Sequence, residues 1–249
     1  MNGDRILLEI CVDTPAGLRA AIAGGADRIE LCAALALGGL TPPPGLMALA
    51  GEQAVPVRAM IRPRPGGFVY DRDERLAMMR DIDAARAAGL AGVVIGATTS
   101  AGTLDLPLLR DLADHAAGLA LTLHRAVDLV ADGPAAVEAA VALGFATILT
   151  SGGTAAAIDG TARIAAMRDR AAGRIEILAG SGVTADNAAQ ILSATGVAAV
   201  HASCGRPVAI ADARSIAMGF APLGMKDTDQ AAVARLRQAL DLYRDTLRP

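Results

Sequence analysis

Ile6-Leu7-Leu8-Glu9-Ile10-Cys11-Val12, an Ala-rich segment of helical period over 15–23, and Asp27-Arg28-Ile29-Glu30-Leu31-Cys32 form the first repeat of a pattern that runs through the chain. Two apolar runs of strand length separated by one helical segment imply a crossover, the connection that parallel strands require. Further strand-like runs occur at 57–62, 92–96, 119–125, 146–150, 175–180 and 198–203, with helical period near 44–53, 71–88, 105–116, 134–143, 155–171 and 184–194. Eight β/α units in about 200 residues are the number that closes a barrel. A doubly wound open sheet shares this rhythm. Its phosphate fingerprint, Gly-x-Gly-x-x-Gly, is missing after the first strand, where Cys11-Val12-Asp13-Thr14-Pro15 stands instead. The sequence therefore reads as α/β, a single (β/α)8 TIM-like barrel with residues 1–249 as one domain. Its strands lie over 6–203, and a C-terminal helical segment at 227–247 closes the barrel or contacts a partner.

Composition narrows the function. Of 249 residues 53% are hydrophobic and 20% charged, with no Trp, so the chain can bury a large core without disulfides. A net charge of −3 offers no basic footprint for nucleic acid or an anionic membrane. Met1-Asn2-Gly3-Asp4-Arg5 lacks the layout of a secretory signal, and every apolar run is shorter than the roughly 20 residues needed to cross a bilayer. These features predict a cytoplasmic protein. Three cysteines, an odd number, argue for thiols rather than a disulfide framework. Lys226 is the only lysine and falls in a late loop, so the sequence predicts neither Schiff-base chemistry nor a pyridoxal phosphate (PLP) cofactor.

Strand side chains alternate between faces. Leu8, Ile10 and Val12 form one set on strand 1, and Leu7, Glu9 and Cys11 the other; Ile29 and Leu31 oppose Arg28, Glu30 and Cys32 on strand 2. The apolar sets must meet the helices. The opposite sets then face the barrel axis, joined by Arg58, Met60 and Arg62, by Thr122 and His124, and by His201 and Ser203. Buried charges are expected to pair. Apolar layers would nevertheless fill that space at lower cost, so carboxylates, arginines and histidines at one end point to a site.

Glu9 and Glu30 hold equivalent places on neighbouring strands, which predicts carboxylates about one interstrand spacing, roughly 5 Å, apart. Like charges that close would split their pKa values into an acid and a base. Met60-Ile61-Arg62-Pro63-Arg64-Pro65-Gly66-Gly67-Phe68 reads as an anion clamp, with Arg62 and Arg64 on a rigid turn. In Thr122-Leu123-His124-Arg125-Ala126-Val127-Asp128, His124 can shuttle protons with Asp128 as its orienting carboxylate. Ser151 and Gly152, and Gly180, Ser181 and Gly182, form glycine-bearing turns whose amides can face an anion. Cys11 and Cys32 lie two residues beyond the glutamates and offer two thiols for a soft ion such as Cu(I). Cys204 is a third thiol beyond strand 8.

These residues resemble the CutC family of copper-homeostasis proteins. The resemblance rests on Leu8-Glu9-Ile10-Cys11-Val12-Asp13, Gly24-Gly25-Ala26-Asp27-Arg28-Ile29-Glu30-Leu31-Cys32, Gly38-Gly39-Leu40-Thr41-Pro42, Met60-Ile61-Arg62-Pro63-Arg64, His124-Arg125-Ala126-Val127-Asp128, Ile148-Leu149-Thr150-Ser151-Gly152 and His201-Ala202-Ser203. It implies a TIM-like barrel, a cytoplasmic location, a homodimer or higher homo-oligomer, and copper bound at Cys11 and Cys32. It places Glu9, Glu30, Arg62, Arg64, His124, Asp128 and His201 among the family's site-like charged residues; Cys204 falls outside the pattern.

Two functions follow. In one, Cys11 and Cys32 hold Cu(I) and the polar mouth supports them. In the other, the chain is an isomerase, lyase or hydrolase: Arg62 and Arg64, with the glycine turns, His201 and Ser203, bind a small anionic metabolite, and Glu9, Glu30, His124 and Asp128 carry acid and base chemistry.

Overall fold

A computed structural model describes residues 5–208, 212–220 and 224–247. Eight parallel strands close into a barrel in sequence order: β1 (Leu7–Val12), β2 (Arg28–Leu31), β3 (Val57–Met60), β4 (Gly92–Ile95), β5 (Ala120–Leu123), β6 (Thr147–Thr150), β7 (Glu176–Gly180) and β8 (Ala199–Ala202). Helices α1 (Pro15–Ala23), α2 (Pro44–Gly51), α3 (Arg72–Ala87), α4 (Leu106–His115), α5 (Gly133–Ala142), α6 (Thr161–Ala171) and α7 (Ala188–Thr195) join them. Polar caps start several: the Thr14 hydroxyl accepts from Gly17 N at 2.8 Å, and Asp71 and Glu74 form a capping box on α3. None of the helices among the described residues is long and apolar enough to cross a membrane.

The strand parity expected from the sequence holds. Leu8, Ile10, Val12, Ile29, Leu31, Ala59 and Ile61 join the large apolar cluster shared with the helices. The inner face is layered. Leu7, Leu149, Leu178 and Ala199 form one apolar group, and Cys32, Met60 and Val94 another. Ionisable groups occupy inner positions beside these groups, which makes the barrel interior a packed polar network.

Three segments differ from their sequence reading. Helix α6 starts at Thr161 rather than near 155, because the chain first folds back on itself: a Cβ on Gly160 would lie 2.0 Å from the Ser151 carbonyl. After β5 the chain does not stay extended but enters a 3-10 turn at Arg125–Leu129. The region beyond β8, left unassigned by hydrophobic period, forms an antiparallel pair, β9 (Gly205–Pro207) and β10 (Lys226–Thr228), with the short α8 (Ala213–Ala217) between them. Strand β10 takes the start of the expected C-terminal helix and carries Lys226. The remainder, α9 (Gln230–Thr246), packs against α1 and α7 and buries Val233, Leu236 and Leu240, so it closes the outer helical ring.

Candidate functional site at the barrel mouth

Glu9 and Glu30 do not pair across β1 and β2. Glu9 aligns with Arg28, and Cys11 aligns with Glu30. Closing a barrel tilts its strands and staggers their register, so residues at matching places in two motifs need not be partners. Glu30 lies one inward step beyond Glu9, about 7 Å along the strand. The same stagger separates Cys32 from Cys11. Arg28 Nε donates to Glu9 Oε2, and Arg28 Nη2 donates to Glu176 Oε1 at 2.7 Å. Arg58 supports this layer by donating to the Thr122 and Thr147 hydroxyls at 2.6 and 2.9 Å. Arg28, Arg58 and Glu176 were not among the residues expected to form the site. Inward parity was visible for both arginines, but partners could not be assigned without the register.

Strand β8 completes the centre, its register placing His201 beside Glu9. His201 Nδ1 lies 2.8 Å from Glu9 Oε1, and Nε2 lies 3.7 Å from Glu30 Oε2. Burial works against the charge on Glu9, but the hydrogen bond from His201 and the Arg28 guanidinium overcome it and bring its pKa down to about 2. Glu30 moves the other way. Burial raises its pKa, His201 opposes the rise and the like charge of Glu9 adds to it. Burial also opposes a charge on His201, yet Cys11, Glu30 and Glu9 surround the ring and lift its pKa well above the ordinary value.

Cys11, Glu30 and His201 are all buried, and one ligand atom from each lies within 4.8 Å of the others. Cys32 lies outside this group. Its thiol donates to Glu30 Oε2 at 3.5 Å, and burial together with the Glu30 carboxylate pushes its pKa well up. Cys204, partly buried beyond β8, has its thiol pushed up to about 11 by burial. Gly180 leaves room beside the centre, since a Cβ there would stand 2.5 Å from Leu149 Cδ1 and 3.2 Å from His201 Cβ.

The other expected site residues separate into two groups. Arg62 is buried two residues beyond β3, where Nη1 donates to the Leu37 and Gly39 carbonyls at 2.9 and 3.0 Å, and Nη2 donates to Gly66 O at 2.8 Å. His124 is buried after β5, its Nδ1 accepting from Ala126 N at 3.1 Å. The Phe68 ring lies 4.9 Å from the His124 ring and 5.1 Å from Arg62 Cζ. Arg64 does not join Arg62 in a clamp. It pairs with Glu74 on α3 and donates to Val69 O at 2.8 Å, on the outside of the loop.

Asp128 does not orient His124. Its carboxylate accepts from the Thr150 hydroxyl at 2.5 Å, from Ser151 Oγ at 2.8 Å, from Gly153 N at 3.0 Å and from Arg125 Nε at 2.9 Å. These bonds hold its pKa below the usual range despite burial. Asp128 is thus a staple for the β6 loop. The single Ser151 hydroxyl proton is shared between Asp128 and Thr154 O, which lies 2.6 Å from Oγ, and Gly152 N donates to Thr150 Oγ1 at 2.9 Å, so the loop uses these groups for its own turn. Ser181 donates to Ala155 O at 2.7 Å, Gly182 O accepts from Asn187 Nδ2 at 2.8 Å, and exposed Ser203 accepts from Gly205 N at 3.4 Å.

Fold and site together define a (β/α)8 barrel protein whose C-terminal mouth carries a buried thiol, imidazole and carboxylate centre. Within that class, the chain belongs to the CutC family, whose profile matches residues 6–206. It is 57% identical over 242 residues to a CutC family protein of Caulobacter vibrioides, covering 96% of this chain and 99% of that one. A CutC family protein of Sinorhizobium medicae is 54% identical over 238 residues, with 96% and 97% covered. The crystal structure of CutC from Streptococcus agalactiae superposes with a TM-score of 0.76 at 35% identity, covering 80% of this chain and 98% of that one.

Proposed function

We propose that this chain serves copper homeostasis, the role under which the Streptococcus agalactiae relative is provisionally described, and that it holds Cu(I) as cargo at Cys11 and His201 with Glu30 beside them. The supporting observation is the buried group in which one ligand atom from each of the three residues lies within 4.8 Å of the others. Thiolate and imidazole are donors that suit Cu(I), and the carboxylate is the harder, weaker member. Glu9 strengthens the fit. It occupies His201 Nδ1 at 2.8 Å, which orients the ring so that Nε2, on giving up its proton, can meet an ion, the usual carboxylate support of a metal-binding histidine. Cys32, held by Glu30 one inward step further along, would be an auxiliary thiol rather than a member of the primary pair.

Anaerobic Cu(I) titration against a chromophoric chelator tests this reading. Cys11→Ser should weaken binding by about 100-fold or more, and Glu9→Gln by about 10-fold to 100-fold as the loss of a supporting carboxylate. Cys32→Ser should have the smallest effect. X-ray absorption of the loaded protein should show both sulfur and imidazole nitrogen. Unchanged affinity in Cys11→Ser would remove the basis of the proposal.

A further inference from the structure

The copper centre leaves the other polar group at the mouth unused. Arg62 is only 6% exposed, yet among the described residues it makes no ion pair with a carboxylate. Its hydrogen bonds to Leu37 O, Gly39 O and Gly66 O go to carbonyls of two loops, whereas buried Arg28 and Arg237 both meet carboxylates. A buried, uncompensated cation calls for a counter-charge. The Nε edge of the guanidinium is also unmet: Arg62 Nε is buried with no hydrogen-bond partner.

His124 supplies a second unmet donor against the same aromatic ring. Its Nδ1 accepts from Ala126 N, so the ring hydrogen of the neutral imidazole sits on Nε2. Burial and the neighbouring Arg62 charge hold that ring neutral, with a pKa of about 3. His124 Nε2 is buried without a partner. Phe68 touches both side chains, and the exposed residues Pro65, Gly66 and Gly67 precede it in the loop that covers them. The Tyr70 hydroxyl, beside Arg62, is a third buried group without a partner of good geometry.

We infer that Arg62 Nε and His124 Nε2 form a binding site for the oxyanion of a small metabolite, a carboxylate or a phosphate, seated against Phe68 under the loop of residues 63–70. The chemistry favours an oxyanion over a neutral ligand. Both groups donate, one carries full charge, and neither has a protein acceptor. Three carbonyls fix the guanidinium in advance, so its Nε–H needs no ordering when the anion arrives. The site shares no residue with the Cys11, Glu30 and His201 centre, and it stands whether or not that centre carries copper.

Nitrogen-15 NMR of the metal-free wild-type protein tests it, with sodium acetate, sodium malonate and sodium phosphate as probes at constant ionic strength and sodium chloride as the control. The expected result is saturable movement of the Arg62 Nε–H and His124 Nε2–H signals with at least one oxyanion and not with chloride. Response to acetate or malonate alone assigns a carboxylate, and response to phosphate alone a phosphate ester. His124→Phe keeps an aromatic ring against Phe68 and removes the donor, so affinity for the responding probe should fall by about 10-fold or more. Cys11→Ser should leave that affinity within about twofold, as expected for separate sites. No response of these two signals to any oxyanion would overturn the inference, as would movement confined to other residues. Loss of the response in Cys11→Ser would refute a separate site.

Discussion

Glu9→Gln removes one charge from the middle of the barrel while preserving shape, and its consequence can be worked from the structure. Glu9 is fully buried between Arg28 and His201, so the amide would take the anion from His201 Nδ1 and leave Arg28 with Glu176 alone. The carboxyl pKa lies at about 2 instead of 4.5. That difference corresponds to about 3 kcal/mol of stability at neutral pH. The general cost of breaking a buried pair, roughly 3–5 kcal/mol, agrees with it. A chain of this length loses roughly 2–4 °C of Tm per kcal/mol, so the variant should melt at least about 6 °C below wild type. The folded-state pKa is depressed, so the Glu9 contribution is complete above 4.5 and is lost as pH falls toward 2. Urea unfolding followed by circular dichroism, in wild type and variant from about pH 7 to about pH 3, should therefore show a deficit that shrinks on acidification. Equal stability at neutral pH would refute the reasoning, and so would a deficit that stays constant across the acid range.

Three further outcomes follow from the same contacts. Gly96→Ala would place a Cβ 2.4 Å from His124 Cε1 and 2.5 Å from Nδ1, so the ring must move; overpacking should cost about 1–3 kcal/mol in thermal melts and weaken oxyanion binding while sparing Cu(I) affinity. Arg62→Ala should destabilise by about 3 kcal/mol in urea titrations because three loop carbonyls lose their donor, whereas Arg64→Ala, outside the loop on Glu74, should change unfolding much less. Asp128→Ala should cost on the order of 3 kcal/mol by freeing the β6 loop; its depressed pKa gives a contribution present above 3.8 and lost on further acidification, which acid unfolding of wild type and variant can separate.

The barrel was legible because two periodicities in the sequence agree. Strand parity alone sent Leu8, Ile10 and Val12 to the helices and Glu9 and Cys11 to the axis, and burial of one face enforces that choice. The turn chemistry was less legible. Asp128 stands four residues after His124, a spacing that suits a partnership, but the 3-10 turn at Arg125–Leu129 carries its carboxylate to the β6 loop instead. Arg64 likewise shares a motif with Arg62, yet the capping box at Asp71 places Glu74 where it captures the second arginine and leaves the first inside.

Depth along the barrel axis is the quantity that a period of two cannot encode. Side is fixed by odd or even position, whereas depth depends on the stagger accumulated between strands. The offset from Glu9 to its partner Arg28 is 19 residues, while the offset between matching motif places, Glu9 to Glu30, is 21. That two-residue difference changes the chemistry. With matched depth, two carboxylates would face each other and repel. With the observed stagger, Glu9 meets a guanidinium and an imidazole and stays ionised, while Glu30 is displaced toward Cys11 with its pKa raised. The acid pair expected from sequence thus becomes a buried ion pair supporting His201, with Cys11 and Glu30 beside it. The Cys11, Glu30 and His201 group and the unmet donors at Arg62 and His124 arise from barrel closure, which brings residues from β1, β2 and β8 together in one place and those after β3 and β5 together in another.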